Sequence, residues 1–198
     1  MHDAPEPPMS DVGSAASRGF AQISEMEIWR GRVVRLVRTE WSAPDGTTME
    51  RDVVRHPGAV AVVAITGGAA PCVLLVRQFR APLGREVLEV PAGTLDVAGE
   101  PPAEAARREL MEEVGMLAGR IEALGTMLNS PGFTDQRTHL FLASDLTECE
   151  MRPEGVEERH MSVVEMPVSG IDAAIASGEI ADAQSLLGLL MARRVLGI

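Results

Sequence analysis

The chain has 198 residues, which is enough for one domain with a full hydrophobic core and a small additional subdomain. Hydrophobic residues make up 45% of the sequence and the mean hydropathy is +0.06, as is typical of a globular rather than a disordered protein. The net charge of −11, from 18 basic and 29 acidic residues, argues against a nucleic acid partner because an acidic surface repels phosphates.

Residues 1–19 predict a flexible tail, because they are rich in Pro, Ala, Ser and Gly and contain almost no large apolar side chains. Residues 20–56 predict an N-terminal β subdomain. In it, the stretches 28–39 and 47–55 alternate apolar and polar side chains around a turn at 43–46, which predicts an antiparallel hairpin. An isolated hairpin is marginally stable in water, so we expect it to pack on another surface.

Residues 57–198 are predicted to form the main domain. The run 58–66 is continuously apolar, as is typical of a strand buried on both faces. Further strands are predicted at 72–79, 86–90, 120–128, 137–143 and 161–166. Helices are predicted at 103–114, 171–177 and 183–195, the last with Asp182 as its N-cap. The alternation of strands and helices predicts an α/β fold with a mixed sheet between helical layers.

The cysteine and hydropathy patterns indicate a cytoplasmic protein without membrane association. Cys72 and Cys149 lack metal-like spacing, and we interpret them as buried free thiols in a reducing compartment. The N-terminus lacks the basic-then-apolar pattern of a signal peptide. The longest apolar runs, 59–65 and 186–192, are too short to span a membrane.

The first helix of the main domain is acidic. Pro101 and Pro102 are compatible only with a helix start, because proline lacks the N–H donor, and Gly115 supplies a left-handed stop. One face is apolar and is predicted to be buried; it comprises Ala103, Ala106, Leu110, Val114 and Leu117. The adjacent face carries Glu109, Glu112 and Glu113, with Arg108 four residues before Glu112 and so placed to brace it.

Carboxylates one helical turn apart repel each other by a few tenths of a kcal/mol. A hard divalent cation such as Mg²⁺ takes oxygen ligands and would remove that repulsion. The alternative is a solvated acidic face with ordinary intrahelical ion pairs, which is the usual arrangement in a Glu-rich helix. The helix by itself leaves both interpretations open.

The residues that flank this helix favour the metal site. The positions that match a known pattern at its mutual spacing are Glu100, Arg108, Glu109, Leu110, Glu112, Glu113, Gly115 and Met116. They resemble the signature of the Nudix hydrolases, a Gly, a Glu and then R-E-U-x-E-E-x-G-U, where U is a bulky apolar residue. Gly93 lies seven residues before Glu100 instead of the usual six, which places one extra residue in the loop 94–99. The resemblance implies an α/β/α sandwich.

Motifs outside the signature resemble the ADP-ribose pyrophosphatase branch, including its actinobacterial members. They are the predicted hairpin followed by RDVVRHPGAVA at 51–61, QFR at 78–80 and EVPAG at 89–93. The resemblance implies hydrolysis of ADP-ribose to AMP and ribose 5-phosphate with two or three Mg²⁺ ions, or Mn²⁺ in their place. It also implies a homodimer in which the N-terminal hairpin exchanges with the partner or leans across it.

The resemblance also implies roles for single residues. Glu109 and Glu113 correspond to the main metal ligands, together with the backbone carbonyl of Ala92, and Glu112 is a second-tier ligand. A late glutamate completes the site and activates water; the candidates, in order of preference, are Glu158, Glu157 and Glu154. The implied catalytic set is therefore Glu113, Glu158, Glu157, Glu112 and Arg108. The implied substrate-binding residues are Arg51, Arg80, Glu89 and Phe133.

These residue types suit attack of water on a diphosphate, which adds negative charge to a group that is already anionic. Divalent cations neutralise its oxygens, arginine forks bind phosphate in bidentate fashion, and a carboxylate removes the proton of the attacking water.

Two positions depart from the branch: Gln136 stands where a glutamate is frequent, and Arg55 replaces a frequent acidic residue. Both departures affect the expected identity of the substrate more than the expected type of reaction. One alternative is therefore a Nudix hydrolase for another nucleoside-diphosphate sugar or a dinucleotide. A non-catalytic ADP-ribose sensor is a further alternative, against which stand the intact box carboxylates and Arg108.

Overall fold

The computed structural model describes residues 18–153 and 155–197, so most of the predicted tail, and Glu154, lie outside the described residues. The chain divides into two compact units, the first ending at Arg55 and the second beginning at His56. No helix in the described ranges combines the length and the apolar character needed to cross a membrane.

The first unit is an antiparallel sheet of three strands in the order β1-β2-β3. Their bounds are β1 Ala21–Arg30, β2 Arg35–Ser42 and β3 Thr48–Arg55. The predicted hairpin is confirmed as β2 and β3. At its turn, Asp45 accepts a hydrogen bond from the Thr47 amide at 2.9 Å, and Gly46 has a φ of +85° that favours glycine.

The prediction of one strand over 28–39 is wrong, because a tight turn divides it. The Gly31 amide donates to the Val34 carbonyl at 2.8 Å, and β1 precedes the turn as an additional strand. A Cβ atom at Gly31 would lie 2.4 Å from the Trp29 ring, so a larger residue there would require that exposed ring to move. Arg55 stands where the ADP-ribose pyrophosphatase branch frequently has an acidic residue. Here it forms an ion pair with Glu25 of β1 at 2.6 Å.

The second unit is a seven-stranded sheet with the central order β10-β5-β4-β9-β8, in which β6 pairs with β5 and β7 with β4. The strands are β4 Ala59–Ile65, β5 Cys72–Arg80, β6 Arg85–Glu89, β7 Ala92–Thr94, β8 Met116–Leu128, β9 Arg137–Glu148 and β10 Ser162–Pro167. The β4–β9 pairing is parallel and the others are antiparallel, so the predicted mixed sheet is confirmed.

Helices cover both faces of this sheet: α1 Pro102–Val114 on one, and α2 Ile171–Ala176 with α3 Ala183–Leu196 on the other. One hydrophobic cluster lies on each face of the sheet, and the side chains of β4 alternate between them. Val60 and Val62 belong to the cluster with Leu110 of α1, and Val63 belongs to the cluster with Leu189 of α3. Every residue of β4 is buried, as its apolar run predicts. The α/β/α sandwich is thus confirmed.

The predicted helix ends are largely confirmed. Gly115 ends α1 with a φ of 69°, and Asp182 caps α3 by accepting from the Ser185 amide at 2.9 Å. The prediction that Leu117 belongs to the buried face of α1 is wrong, because Leu117 is 48% exposed and lies in β8. The left-handed turn at Gly115 redirects the chain before the next helical turn would bury that side chain.

Candidate active site

The acidic face of α1 is buried rather than solvated. Glu109 and Glu112 are each 8% exposed and Glu113 is 4% exposed. Burying a carboxylate costs free energy unless it is paired, hydrogen-bonded or bound to a cation. The burial therefore rules out the interpretation of these three residues as a solvated face, and it raises the question of what compensates each charge.

Arg108 compensates two of the three carboxylates. Its Nη1 donates to Glu109 at 2.8 Å and to Glu112 at 2.9 Å, so the predicted contact with Glu112 is present. Its Nε and Nη2 each donate to a different oxygen of Glu100 at 3.1 Å, a bidentate pair that fixes the guanidinium plane. The bond to Glu100 and the charges of Glu109 and Glu112 raise the pKa of Arg108, so it remains protonated.

Glu113 is held by the backbone of β7. Its Oε2 accepts a hydrogen bond from the Ala92 amide at 2.9 Å. Burial nevertheless raises its pKa to about 8; the Ala92 bond and the charge of Arg80 lower it, and the charges of Glu109 and Glu158 raise it. Burial raises the pKa of Glu109 to about 7, against the attraction of Arg108 and with further repulsion from Glu112 and Glu158. Both anions are therefore destabilised in the protein alone.

Gly93 lets the strand β7 approach α1 closely. A Cβ atom at this position would lie 1.9 Å from the carboxyl carbon of Glu109 and 2.0 Å from its Oε1. Real Cβ atoms do not approach other atoms so closely, so any side chain at position 93 displaces the Glu109 carboxylate. This contact gives a physical reason for the glycine that opens the sequence signature.

We expect Gly93→Ala to lower kcat by about 10²-fold, since displacement of a site group by about 1 Å has effects of that size. The loss of stability should be small, because the Glu109 side chain can move away from the new methyl group. Steady-state kinetics and thermal unfolding measure the two effects. Gly67→Ala is the matched control, because a Cβ there meets nothing within 4 Å. Normal turnover of Gly93→Ala would show that the position of Glu109 does not matter.

Glu158 completes the acidic cluster. It begins a single 3₁₀ turn, Glu158–His160, and is half-buried. Its charge raises the pKa of both Glu109 and Glu113, which places it within electrostatic reach of them. Glu157, one residue earlier, is exposed. The geometry therefore favours Glu158 over Glu157 as the late glutamate.

Arg80 and Glu89 form an ion pair beside this cluster. Glu89 is 5% exposed, and its Oε2 accepts from Nε of Arg80 at 2.9 Å and from Gln78 Nε2 at 3.2 Å. The sequence interpretation did not include Gln78. The alternation of strand β5 could have shown it, because residues 78 and 80 lie on the same face.

The remaining predicted substrate residues lie outside these contacts. Arg51 is on β3 of the first unit, where its Nη1 donates to the Glu50 carbonyl at 2.7 Å. Phe133 is 57% exposed in the loop between β8 and β9 of the second unit. Their predicted roles in substrate binding stay predictions.

The donor set fits an oxygen-liganded cation in its chemistry. Glu109 and Glu113 are buried carboxylates on adjacent turns of α1, and burial raises the pKa of both more than Arg108, Arg80 and the Ala92 amide lower it. Over 18–153 and 155–197, no three Asp, Glu, His or Cys side chains are already gathered in a group that could hold a metal ion. Glu109 and Glu112 are each paired with Arg108 instead.

The raised pKa values predict how stability depends on pH in the metal-free protein. Glu109 and Glu113 titrate near 7 and 8 in the folded state, against an ordinary 4.5, so folding favours their protonated forms. The resulting stabilisation is fully present below about pH 4.5 and is lost as pH rises toward 8. We expect the urea midpoint in chelator to fall across this window, and Mg²⁺ to restore part of it at the alkaline end.

Glu113→Gln is the control for this titration, because it removes one of the two groups. Its midpoint should fall less over the same window. An identical slope in both proteins would show that Glu113 titrates normally when folded.

Comparison with known proteins agrees with the site. The NUDIX domain model matches residues 55–185. The chain is 37% identical over 163 residues to an ADP-ribose pyrophosphatase of Bacillus subtilis (strain 168), covering 82% of this chain and 86% of that protein. It is 38% identical over 182 residues to an ADP-ribose pyrophosphatase of Mycobacterium tuberculosis (strain ATCC 25618 / H37Rv), covering 91% and 86%.

The fold is also found in a solved structure. The crystal structure of an ADP compounds hydrolase matches with a TM-score of 0.78 at 20% identity, over 90% of this chain and 94% of that one. At this identity the match shows the fold alone. Together with the family model and the two relatives, it leads to one conclusion: the chain belongs to the Nudix hydrolase family.

Proposed function

We propose that this protein hydrolyses the diphosphate of ADP-ribose to AMP and ribose 5-phosphate. The observation that best supports this reaction is the buried carboxylate cluster on α1, whose anionic forms are destabilised without a cation. The substrate is supported by the two relatives, both ADP-ribose pyrophosphatases that align with most of this chain. The motifs at 51–61, 78–80 and 89–93 support the same branch.

Nudix hydrolases depend on divalent metal ions. For this chain we propose Mg²⁺, in two or three ions with Mn²⁺ as a substitute, held by Glu109, Glu113 and the carbonyl of Ala92, with Glu112 as an additional ligand. Such ions, when bound, neutralise the oxygens of the diphosphate. Arg108 would keep its bidentate pair with Glu100, and so would continue to support α1, if Glu109 held a cation.

The chain's own residues bind the substrate and move the proton. Arg80 is the proposed phosphate-binding group of the second unit, since its guanidinium is part-exposed and within electrostatic reach of Glu113. Glu158 takes the proton of the attacking water, because a half-buried carboxylate on a short turn lies within electrostatic reach of the cluster. Arg51 and Phe133 are proposed to contact the substrate from their surface positions.

The proposed substrate is tested by measuring kcat/KM for a panel of ADP-ribose, GDP-mannose, UDP-glucose, NADH and diadenosine polyphosphates with Mg²⁺. We expect ADP-ribose to be preferred, with AMP and ribose 5-phosphate as products. Hydrolysis in ¹⁸O-labelled water then identifies the phosphorus that is attacked. Preference for another diphosphate would contradict ADP-ribose as the substrate but not the hydrolysis of a diphosphate. The departure from the branch at Gln136 is a reason to test this alternative. Tight binding of ADP-ribose without AMP release would favour a sensor.

We also propose a homodimer that involves the first unit. Strand β1 is exposed along its whole length, including the large apolar side chains Ile23, Met26 and Trp29, which are 53%, 59% and 57% exposed. A sheet-edge strand that exposes large apolar side chains is a feature of interaction surfaces. Sedimentation equilibrium of the full chain and of Met26→Glu tests the proposal.

A cytoplasmic location is supported by the two unpaired cysteines, Cys72 and Cys149, both half-buried.

A further inference from the structure

The hairpin of β5 and β6 carries a polar network on the sheet face that packs against α1. Val76 of β5 pairs with Glu89 of β6, and Val76 lies in the same hydrophobic cluster as Leu110 of α1. Directly paired residues of an antiparallel sheet share a face, and so do residues two apart on one strand. Gln78, Arg80 and Glu89 therefore project to the α1 side, where Glu113 also lies.

One oxygen of the Glu89 carboxylate makes all the contacts of this network. A single oxygen, Oε2, accepts hydrogen bonds from Arg80 Nε at 2.9 Å and from Gln78 Nε2 at 3.2 Å, and it lies 2.7 Å from Arg80 Nη2 in an ion pair. Gln78 is itself 4% exposed, so its donor is held in place by packing. An ionised carboxylate has no hydrogen-bond donor to offer a phosphate oxygen, and its charge repels that oxygen. Glu89 is thus poorly suited to direct contact with phosphate.

The ion pair orients the guanidinium of Arg80. Its Nε–Nη2 edge faces Glu89, so the planar group directs Nη1 to the other side. Within the part of the chain that the structure describes, Nη1 has no hydrogen-bond partner, and the side chain is 38% exposed. The charge of Arg80 also acts on Glu113, which places the guanidinium near the proposed metal ligands.

We propose that Glu89 is a positioning residue that acts through Arg80, holding its guanidinium so that Nη1 faces the diphosphate of the substrate. This rests on the proposed function and gives Glu89 a role different from the direct substrate contact that the motif implies. A free arginine side chain loses much rotational freedom when it binds an anion. Here that freedom is already lost on folding, so the benefit appears as substrate affinity.

The test is a double-mutant cycle of Glu89→Gln and Arg80→Gln, with kcat and KM for ADP-ribose measured for all four proteins. Glu89→Gln keeps the shape and removes the charge that orients Arg80. We expect its KM to rise about tenfold with a much smaller change in kcat, because binding common to the ground and transition states is lost. In the Arg80→Gln background the same change should add almost nothing, because there is no guanidinium left to orient.

Glu86→Gln is the matched control: Glu86 is an exposed residue of the same strand, and its KM should equal that of the wild type. Glu89→Asp is a second variant, which keeps the charge but withdraws the oxygen from Arg80, and its KM should also rise. Wild-type KM in both Glu89 variants, or an equal loss in both backgrounds of the cycle, would overturn the inference. A wild-type protein that does not turn over ADP-ribose contradicts the proposed function instead, and the cycle is then measured on the diphosphate that the panel identifies.

Discussion

Replacing Glu113 by Gln is expected to lower kcat by about 10³-fold while the protein stays folded. A ligand to the divalent ion stabilises transition-state charge by several kcal/mol, and each 1.36 kcal/mol corresponds to a tenfold change in rate. The fold should survive because the amide oxygen of Gln can still accept the hydrogen bond from the Ala92 N–H. Circular dichroism and steady-state kinetics in saturating Mg²⁺ measure both properties.

The stability of this variant gives an independent measurement. Burial penalises the charged form of Glu113, whereas the neutral amide does not carry that cost. In chelator at alkaline pH, Glu113→Gln should therefore unfold at a higher urea concentration than the wild type.

Glu104→Gln is the matched control for both measurements, since Glu104 is an exposed residue in the first turn of the same helix. It should have wild-type kinetics and stability. Turnover of Glu113→Gln at the wild-type rate would reject the metal assignment of the α1 carboxylates, and with it the proposed geometry of the site.

Replacing Glu158 by Gln is expected to lower kcat by about 10²–10⁴-fold, the usual contribution of a positioned general base. The same change at Glu157 should have little effect. The physical reason is position: Glu158 is half-buried and its charge reaches both Glu109 and Glu113, whereas Glu157 is exposed. The two variants differ from wild type by the same chemical change one residue apart, so each is the control for the other.

The rate should be measured as a function of pH for both variants. Loss of a general base removes the dependence on its deprotonation, so the acidic limb of the profile should change for Glu158→Gln alone. A larger loss of kcat in Glu157→Gln than in Glu158→Gln would identify Glu157 as the general base. If neither substitution slows turnover, the base is outside this turn, and Glu154 becomes the next residue to test.

Much of the site was predictable from the sequence because its determinants are local. A helix places residues 109, 112 and 113 on one side by its period alone, and Pro102 and Gly115 fix where that helix begins and ends. The spacing of Glu100, Arg108 and the three carboxylates is likewise a property of one continuous segment. The β4 strand was recognisable for the same reason, since a short continuous apolar run bounded by turn residues is typical of a strand buried on both faces.

Other features depended on tertiary structure. The division of 28–39 arises from the tight turn that the Gly31–Val34 hydrogen bond closes, which no alternation pattern specifies. Gly93 and Glu109 are sixteen residues apart in the sequence (109 − 93), and only the packing of β7 on α1 shows that a methyl group at 93 would collide with the carboxylate. The distinction between Glu158 and Glu157 also depends on where a short turn places each charge.

The sequence by itself determined the family, the acidic helix and the types of residue that the reaction needs, because these are set by spacing within single segments. Only the tertiary structure decided how the charges are compensated: Arg108 engages Glu109 and Glu112, the Ala92 amide holds Glu113, and Glu89 holds Arg80. Compensation of a buried charge depends on distances of a few ångströms between separate elements, and those distances exist only after the sheet and α1 have packed together.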